Sequence, residues 1–356
     1  MSATPLANRY RLLDGLRGIL ALAVVVQHFT ATSGRREVFA SSVLAVDFFF
    51  CLSGFVIAHA YEAQLRAGMP ITAFMARRLR RLYPLYMVGL VLGTMVVWRM
   101  HVFSVAHVPS DVAATAWLLN AMYLPFPNGM ELPVHGAIIV GALFPFNNPA
   151  WSLFFEMAAN VVYACVVRIS NPMLLAVVAL SAIGMVFAQA EYGDAPGWGT
   201  QNFPGGICRT AYAFFSGVLL YRWLTPGARW GRQLAIALAA AVTAMLLLPR
   251  GHGHYIEYWL TCALVAVPLV VGLAAKCDMG TGRLATWCDY SGRLSYPLYC
   301  LHYPLLMAAG TVAATAPEYL ARIVGFVVAV IAVSHVVLVY FDEPLRARLV
   351  LRSQRA

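Results

Sequence analysis

Apolar residues run along this chain in long blocks separated by short polar or basic connectors, and each block is close to the about 20 residues that a helix needs to cross a bilayer. The pattern predicts ten spans, at 12–30, 42–61, 83–98, 149–167, 172–190, 206–223, 233–249, 256–275, 295–314 and 320–340. The fold class that follows is all-α, a polytopic transmembrane helical bundle of about ten spans. Between the third and fourth spans, 112–146 is apolar in two shorter pieces, TAWLLNAMYL and VHGAIIVGALF, interrupted by Pro125, Pro127 and Pro133. It reads as a re-entrant or interfacial segment, or as an extra pair of short helices.

Composition agrees with this reading. Of 356 residues, 61% are hydrophobic and only 11% charged, far from the balance of a soluble domain. Basic residues collect on the cytoplasmic side of membrane proteins. With both termini on that side, every Lys and Arg falls inside except Arg35, Arg36, Arg99, Arg209, Arg250 and Arg322. The expected protein is therefore a multi-pass membrane protein with cytoplasmic N- and C-termini. Its net charge of +10 is accounted for by helix ends facing anionic lipids, without nucleic acid as a partner. The seven cysteines form no CxxC pair and no Cys/His ligand spacing, and Cys51, Cys165, Cys262 and Cys300 fall within spans, so neither a disulfide framework nor a metal site is expected. The first span lacks a small-residue cleavage site and reads as uncleaved. No linker divides the chain, and 1–356 reads as a single membrane domain.

Ionisable side chains inside spans are costly and therefore mark candidate sites. Arg17 and His28 are eleven residues apart, which on a helix returns to within about 20° of the same face and climbs about 16 Å. They share a stripe, joined at its lower end by Asp14. The second span carries Asp47, the acid best placed to orient a His28 imidazole across the helix pair, and Ser53 beside Gly54, which reads as a packing residue. The block FMARRLRRLYPLY places Arg77 with Arg80, and Arg78 with Arg81, at i and i+3; two forked guanidiniums side by side suit a phosphate or pyrophosphate. Positive-inside topology alone would also produce such a block. The fourth span opens NNPAWSLFFEM, with Asn148 and Pro149 as a helix start and with Ser152 and Glu156 one turn apart. Glu156 is a candidate general acid or base. In the ninth span Ser295, Tyr299 and His302 recur as a polar stripe, for which a hydrogen-bonded packing ladder is the plain alternative. Asp342 and Glu343 read as a helix end rather than as chemistry.

Six segments in order, LDGLRGI with His28 following, VDFFFCLSGF, RRLRRLYPLY, WSLFFE, SYPLYCLHYPLL and FDEPLR, resemble bacterial acyltransferase family 3, the integral membrane O-acyltransferases. The resemblance covers almost the whole chain. It implies transfer of an acyl group, usually acetyl from acetyl-CoA, to hydroxyls of extracytoplasmic carbohydrates such as O-antigen, exopolysaccharide, peptidoglycan or Nod factors, and in some members to macrolide sugars. The family's Arg-x10-His pair matches Arg17 and His28, its paired arginines match Arg78 and Arg81, and its fourth-span acid matches Glu156. Two departures stand out: many members carry two acids after WSL where this chain has one, and many carry an esterase-like periplasmic domain, so the stand-alone form is expected here. On this reading Arg17, Arg78 and Arg81 hold the phosphates of acyl-CoA, and His28 is general base or transient acyl carrier, oriented by Asp47 or Glu156. The acceptor is a carbohydrate or glycolipid contacted from loops 99–148 and 191–205. A transporter or flippase of a glycolipid or small molecule shows a similar polar path through many helices.

Overall fold

The computed structural model describes residues 10–32, 37–102, 109–127, 132–134, 137–139, 141–193, 195–224, 230–249, 254–310 and 316–353. Arg35, Arg36 and Arg250, assigned above to the extracytoplasmic side, lie outside the described residues. In chain order the helices are α1 (Arg11–Ala31), α2 (Leu44–Arg66, entered through a 3-10 turn at Ala40–Val43), α3 (Ile71–Val102), α4 (Ser110–Ala121), α5 (Ala150–Cys165), α6 (Asn171–Tyr192), α7 (Phe203–Trp223) and α8 (Arg232–Leu247). Then come α9 (Tyr255–Thr261) and α10 (Val267–Ala275), joined through a π-turn, α11 (Arg283–Ala309), and α12 (Ala316–Val337), which runs through a second π-turn into α13 (Glu343–Ser353).

Among the described residues, six segments are long and apolar enough to cross a membrane: α1, α2 with its entry turn, α3, α6, α9–α10 and α12–α13. This is fewer than the ten expected, for two physical reasons. Helices α5 and α8 are apolar but only 16 residues long. Helices α7 and α11 are long enough, at 21 and 27 residues, but carry the polar groups described below. The apolar window of α2 is 67% buried inside the protein and that of α12–α13 only 17%, so α2 is central and α12 peripheral. The stretch 112–146 forms one helix, α4, and a small antiparallel hairpin, β1 (Leu132–Val134) with β2 (Ala137–Ile139), instead of two short helices. Helix α3 begins before the arginine block and runs through Pro84 as 32 residues. That is about 48 Å, longer than the about 30 Å hydrocarbon core, so one end reaches past it.

Two seams of glycine bring the central helices together. A Cβ at Gly54 on α2 would lie 1.9 Å from the Phe214 carbonyl oxygen of α7, and one at Gly217 on α7 would lie 2.0 Å from the Cys51 carbonyl oxygen of α2. Across α1 and α11, Cβ atoms at Gly15, Gly18 and Gly292 would come within 2.6 Å of Cys288, Ser291 and Asp14. Small residues of this kind let helix backbones approach closely, which is how helices associate when lipid is as apolar as their side chains. At one end of the bundle the buried Glu62 of α2 accepts hydrogen bonds from Arg66 (2.9 Å), Arg222 of α7 (3.0 Å) and Tyr163 of α5 (2.9 Å), tying three helices.

Gly54→Leu has no room against the Phe214 backbone and is expected to destabilise the folded protein by about 3 kcal/mol or more. Gly325→Leu, on α12 with nothing within 4 Å of the new Cβ, is expected to be near neutral. Thermal unfolding of the two variants in the same detergent checks this.

Candidate active site

Among the described residues, two cavities gather most of the polar groups singled out in the sequence. The first, about 130 Å³, is lined by Arg17 of α1, Ser53 of α2, Arg78 and Arg81 of α3, and Glu156 of α5, with Ser152, Ser295 and Tyr299 further along its wall. Its three arginines face a single carboxylate, so the surplus charge is positive. Arg78 is buried, and one of its terminal nitrogens donates to Glu156 Oε1 at 2.7 Å, an oxygen that also accepts from Ser53 Oγ at 2.7 Å. The Nε–H of Arg78 is buried with no hydrogen-bond partner among the described residues. A buried guanidinium donor left unmatched in this way suits an anionic or carbonyl oxygen entering the cavity.

Only one of the two arginine pairs faces this cavity. Arg78 and Arg81 line it, Arg78 buried and Arg81 exposed, whereas the exposed Arg77 donates to Gln64 Oε1 at 2.9 Å and neither Arg77 nor the exposed Arg80 is part of the lining. Residues 78 and 81 lie on the inward side of α3 and residues 77 and 80 about one position round the turn, a rotation that spacing cannot fix. Asp14 packs against Gly292 and lines neither cavity.

The second cavity, about 390 Å³, contains His28, Gln27, Asn148, Trp151, Trp198 and Arg209 among its lining residues. His28 Nδ1 lies 2.9 Å from His302 Nε2, and the two ring planes are parallel to within 4°. The fully buried His302 turns its own Nδ1 to the carbonyl oxygens of Leu298 (3.0 Å) and Tyr299 (2.9 Å). Carbonyls only accept, so His302 Nδ1 carries a proton; with both rings neutral, His302 Nε2 then accepts and His28 Nδ1–H donates. The chain of bonds thus leaves the His28 lone pair on Nε2. This is the tautomer a general base requires, with its second nitrogen held by a partner.

That partner is not Asp47. The Asp47 carboxylate is 1% exposed and takes two parallel hydrogen bonds from Arg209, at 2.7 and 2.8 Å, as a buried fork-on-fork pair. Arg209 also donates to the Val43 carbonyl (2.7 Å) and its guanidinium lies over Trp151 and Trp259. Glu156 is likewise committed to Arg78 and Ser53 in the other cavity. Sequence reasoning did not assign Arg209 to the site, though a lone arginine in the apolar run GICRTAYAFF was a signal of the same kind as His28. The expected helix start also moves by one residue: α5 begins at Ala150, Pro149 precedes it, and no side chain caps it.

Tyr299 lines both cavities. Its hydroxyl is 2.7 Å from Ser152 Oγ and 3.1 Å from the Pro149 carbonyl oxygen, which Ser152 also reaches at 3.0 Å. Helix α11 supplies Ser295, Tyr299 and His302 while holding Pro297 and Pro304. Pro304 has no N–H for the Cys300 carbonyl, and Asn147 Nδ2 donates to that oxygen instead at 2.8 Å. Of the polar stripe, Tyr299 lines both cavities and His302 bonds the His28 imidazole, while the Ser295 hydroxyl donates to the Gly292 carbonyl oxygen at 2.8 Å, the contact of a packing ladder. Among the described residues, no three His, Cys, Asp or Glu side chains converge as metal ligands.

The chain is 38% identical over 202 residues to protein 2 in the picA locus of Rhizobium radiobacter, covering 54% of this chain and all of that protein. It is 25% identical over 341 residues to the acyltransferase MdmB of Streptomyces mycarofaciens, covering 85% of this chain and 80% of that one. It is 22% identical over 356 residues to the peptidoglycan O-acetyltransferase OatA of Listeria monocytogenes, covering 94% of this chain and 55% of that one. No solved structure matches. Residues 10–339, which contain both cavities, match the acyltransferase domain of acyltransferase family 3, and the chain belongs to that family of membrane acyltransferases.

Proposed function

We propose that the protein transfers an acyl group, acetyl in the simplest case, from acyl-CoA in the arginine cavity to a hydroxyl of an extracytoplasmic carbohydrate or glycolipid in the histidine cavity. The observation that carries this reading is that one residue, Tyr299, lines both a cavity with surplus positive charge and a cavity holding a correctly tautomerised histidine. Arg17, Arg78 and Arg81 bind the phosphates of the donor, and Glu156 holds the Arg78 fork in place. The pantetheine arm follows the Arg17 to His28 stripe, a climb of about 16 Å. His28 Nε2 takes the proton of the acceptor hydroxyl as its oxygen attacks the thioester carbonyl. The tetrahedral intermediate then collapses with cleavage of the C–S bond, and the thiolate leaves with the proton as free CoA. His302 keeps His28 in the required tautomer.

The acceptor class is supported by the relative named as a peptidoglycan O-acetyltransferase and by Trp151 and Trp198 in the lining of the histidine cavity, whose ring faces suit sugar stacking. The whole chain acts as a single membrane domain of the inner membrane, with the arginine end and both termini cytoplasmic. Helices α5, α7, α8 and α11 then join the six apolar segments to make about ten spans, their polar groups shielded by neighbouring helices.

His28→Ala is expected to lower transfer by about 10²- to 10⁴-fold in protein that still inserts and runs as a single species. His302→Ala, which removes one neutral hydrogen bond to the base, is expected to lower kcat by about tenfold with little change in KM. Free-thiol release from acetyl-CoA in nanodiscs, with a panel of sugar acceptors, reads both; near wild-type transfer by folded His28→Ala protein would remove the base. Arg78→Ala with Arg81→Ala is expected to raise the KM for acetyl-CoA by about 100-fold or more, since each of the two lost charge-assisted bonds is worth about 1.5–3 kcal/mol. An unchanged KM would remove the phosphate clamp.

A further inference from the structure

Tyr299 stands where the two cavities meet, and its surroundings hold it there. The side chain is 6% exposed and its ring meets Phe49 edge to face at 5.6 Å. Its hydroxyl closes a ring of three contacts with Ser152 Oγ and the Pro149 carbonyl oxygen. Two hydroxyl protons serve that ring: whichever hydroxyl donates to the other, the remaining proton goes to the carbonyl, so neither hydroxyl proton is wasted. Swinging the ring aside breaks at least one of these bonds in a buried setting, where leaving it unmade is costly. The closed position is therefore the resting one. Ser152 lines the arginine cavity, and Pro149 lines the histidine cavity, so the latch spans the boundary. The same residue touches the base: the Tyr299 carbonyl oxygen accepts from His302 Nδ1, the group that sets the His28 tautomer.

We propose that Tyr299 is a specificity-determining residue, the partition that keeps a donor thioester in the arginine cavity away from water in the histidine cavity until an acceptor is seated, so that the acyl group goes to a hydroxyl of the acceptor and not to water. The proposal rests on the donor and acceptor assignment above. The reaction it suppresses is balanced and simple. Water attacks the thioester carbonyl, the C–S bond breaks, the thiolate takes a proton, and the products are a carboxylic acid and free CoA. His28 is as able to deprotonate water as an alcohol, so exclusion of water has to come from the wall.

The test compares free-thiol release from acetyl-CoA without acceptor to release with acceptor, for wild type, Tyr299→Phe, Ser152→Ala and Tyr299→Ala in nanodiscs. Tyr299→Phe keeps the ring and removes the latch, and the ratio of acceptor-independent to acceptor-dependent release is expected to rise about fivefold to tenfold. Ser152→Ala, which leaves the Tyr299 bond to Pro149, is expected to raise it less, and Tyr299→Ala, which removes the wall, to raise it most. A residue that merely stabilises the fold lowers both rates together; an unchanged ratio in all three variants, in protein of normal thermal stability, overturns the proposal. A second measurement needs no donor. The Ser53→Cys variant is to be labelled by a small charged methanethiosulfonate applied from the histidine side, with labelling of the parent protein subtracted. Labelling is expected to be slow with Tyr299 and at least about tenfold faster with Tyr299→Ala. Equal labelling rates would show no partition, whereas a partition in protein that never consumes acetyl-CoA would overturn the donor reading and leave the wall standing.

Discussion

The close approach of α1 to α11 is the contact on which the site depends. Gly15, Gly18 and Gly292 leave no space for a side chain between the two helices, and only at that separation can His28 on α1 reach His302 on α11 at 2.9 Å. In a bilayer no hydrophobic gain distinguishes helix contact from lipid contact, so fit between small residues and polar bonds at the seam has to supply the specificity. The histidine pair, its tautomer and the position of Tyr299 all follow from this one seam.

A second constraint is the handling of buried charge. Asp47 and Arg209 sit at 1% exposure on α2 and α7, the pair joined by the reciprocal Gly54 and Gly217 contacts. Such a pair is tolerable only because the fork is fully matched and because Arg209 has the Val43 carbonyl and two tryptophan faces as further partners. The pair shapes the histidine cavity and leaves His28 to a neutral partner. A neutral partner fits a base that must begin with its lone pair available, whereas a carboxylate at that position would favour the protonated imidazole. The arginine cavity solves the opposite problem: Glu156 engages Arg78, and Arg17 and Arg81 keep the cavity positive.

Much of the site was legible in the sequence, residue by residue. Arg17 and His28 were marked by depth and by an eleven-residue interval, and Glu156 and Ser152 by a one-turn spacing; the structure puts Arg17, Ser152 and Glu156 on one cavity and His28 on the next. The family, visible in six ordered segments, answers the transporter alternative, since its members are acyltransferases. Other readings depended on partners that a linear pattern does not name. Asp47 was matched to His28 because it is the only acid in the second span, yet the competing cation, Arg209, comes from a helix 162 positions further on. Arg77 and Arg80 shared the spacing of Arg78 and Arg81 but sit on the outer side of α3.

What the sequence by itself determined is the set of apolar helices, the residues whose polarity is out of place within them, and the family, because these depend on local composition and on intervals along one helix. What only the tertiary structure decided is the rotation of α3 that admits two of four arginines, the histidine in place of the aspartate beside His28, and the role of Tyr299 as a shared wall. Each of these is fixed by the angle and distance at which helices from distant parts of the chain meet, and those are set by glycine contacts and buried hydrogen bonds that exist only once the bundle has packed.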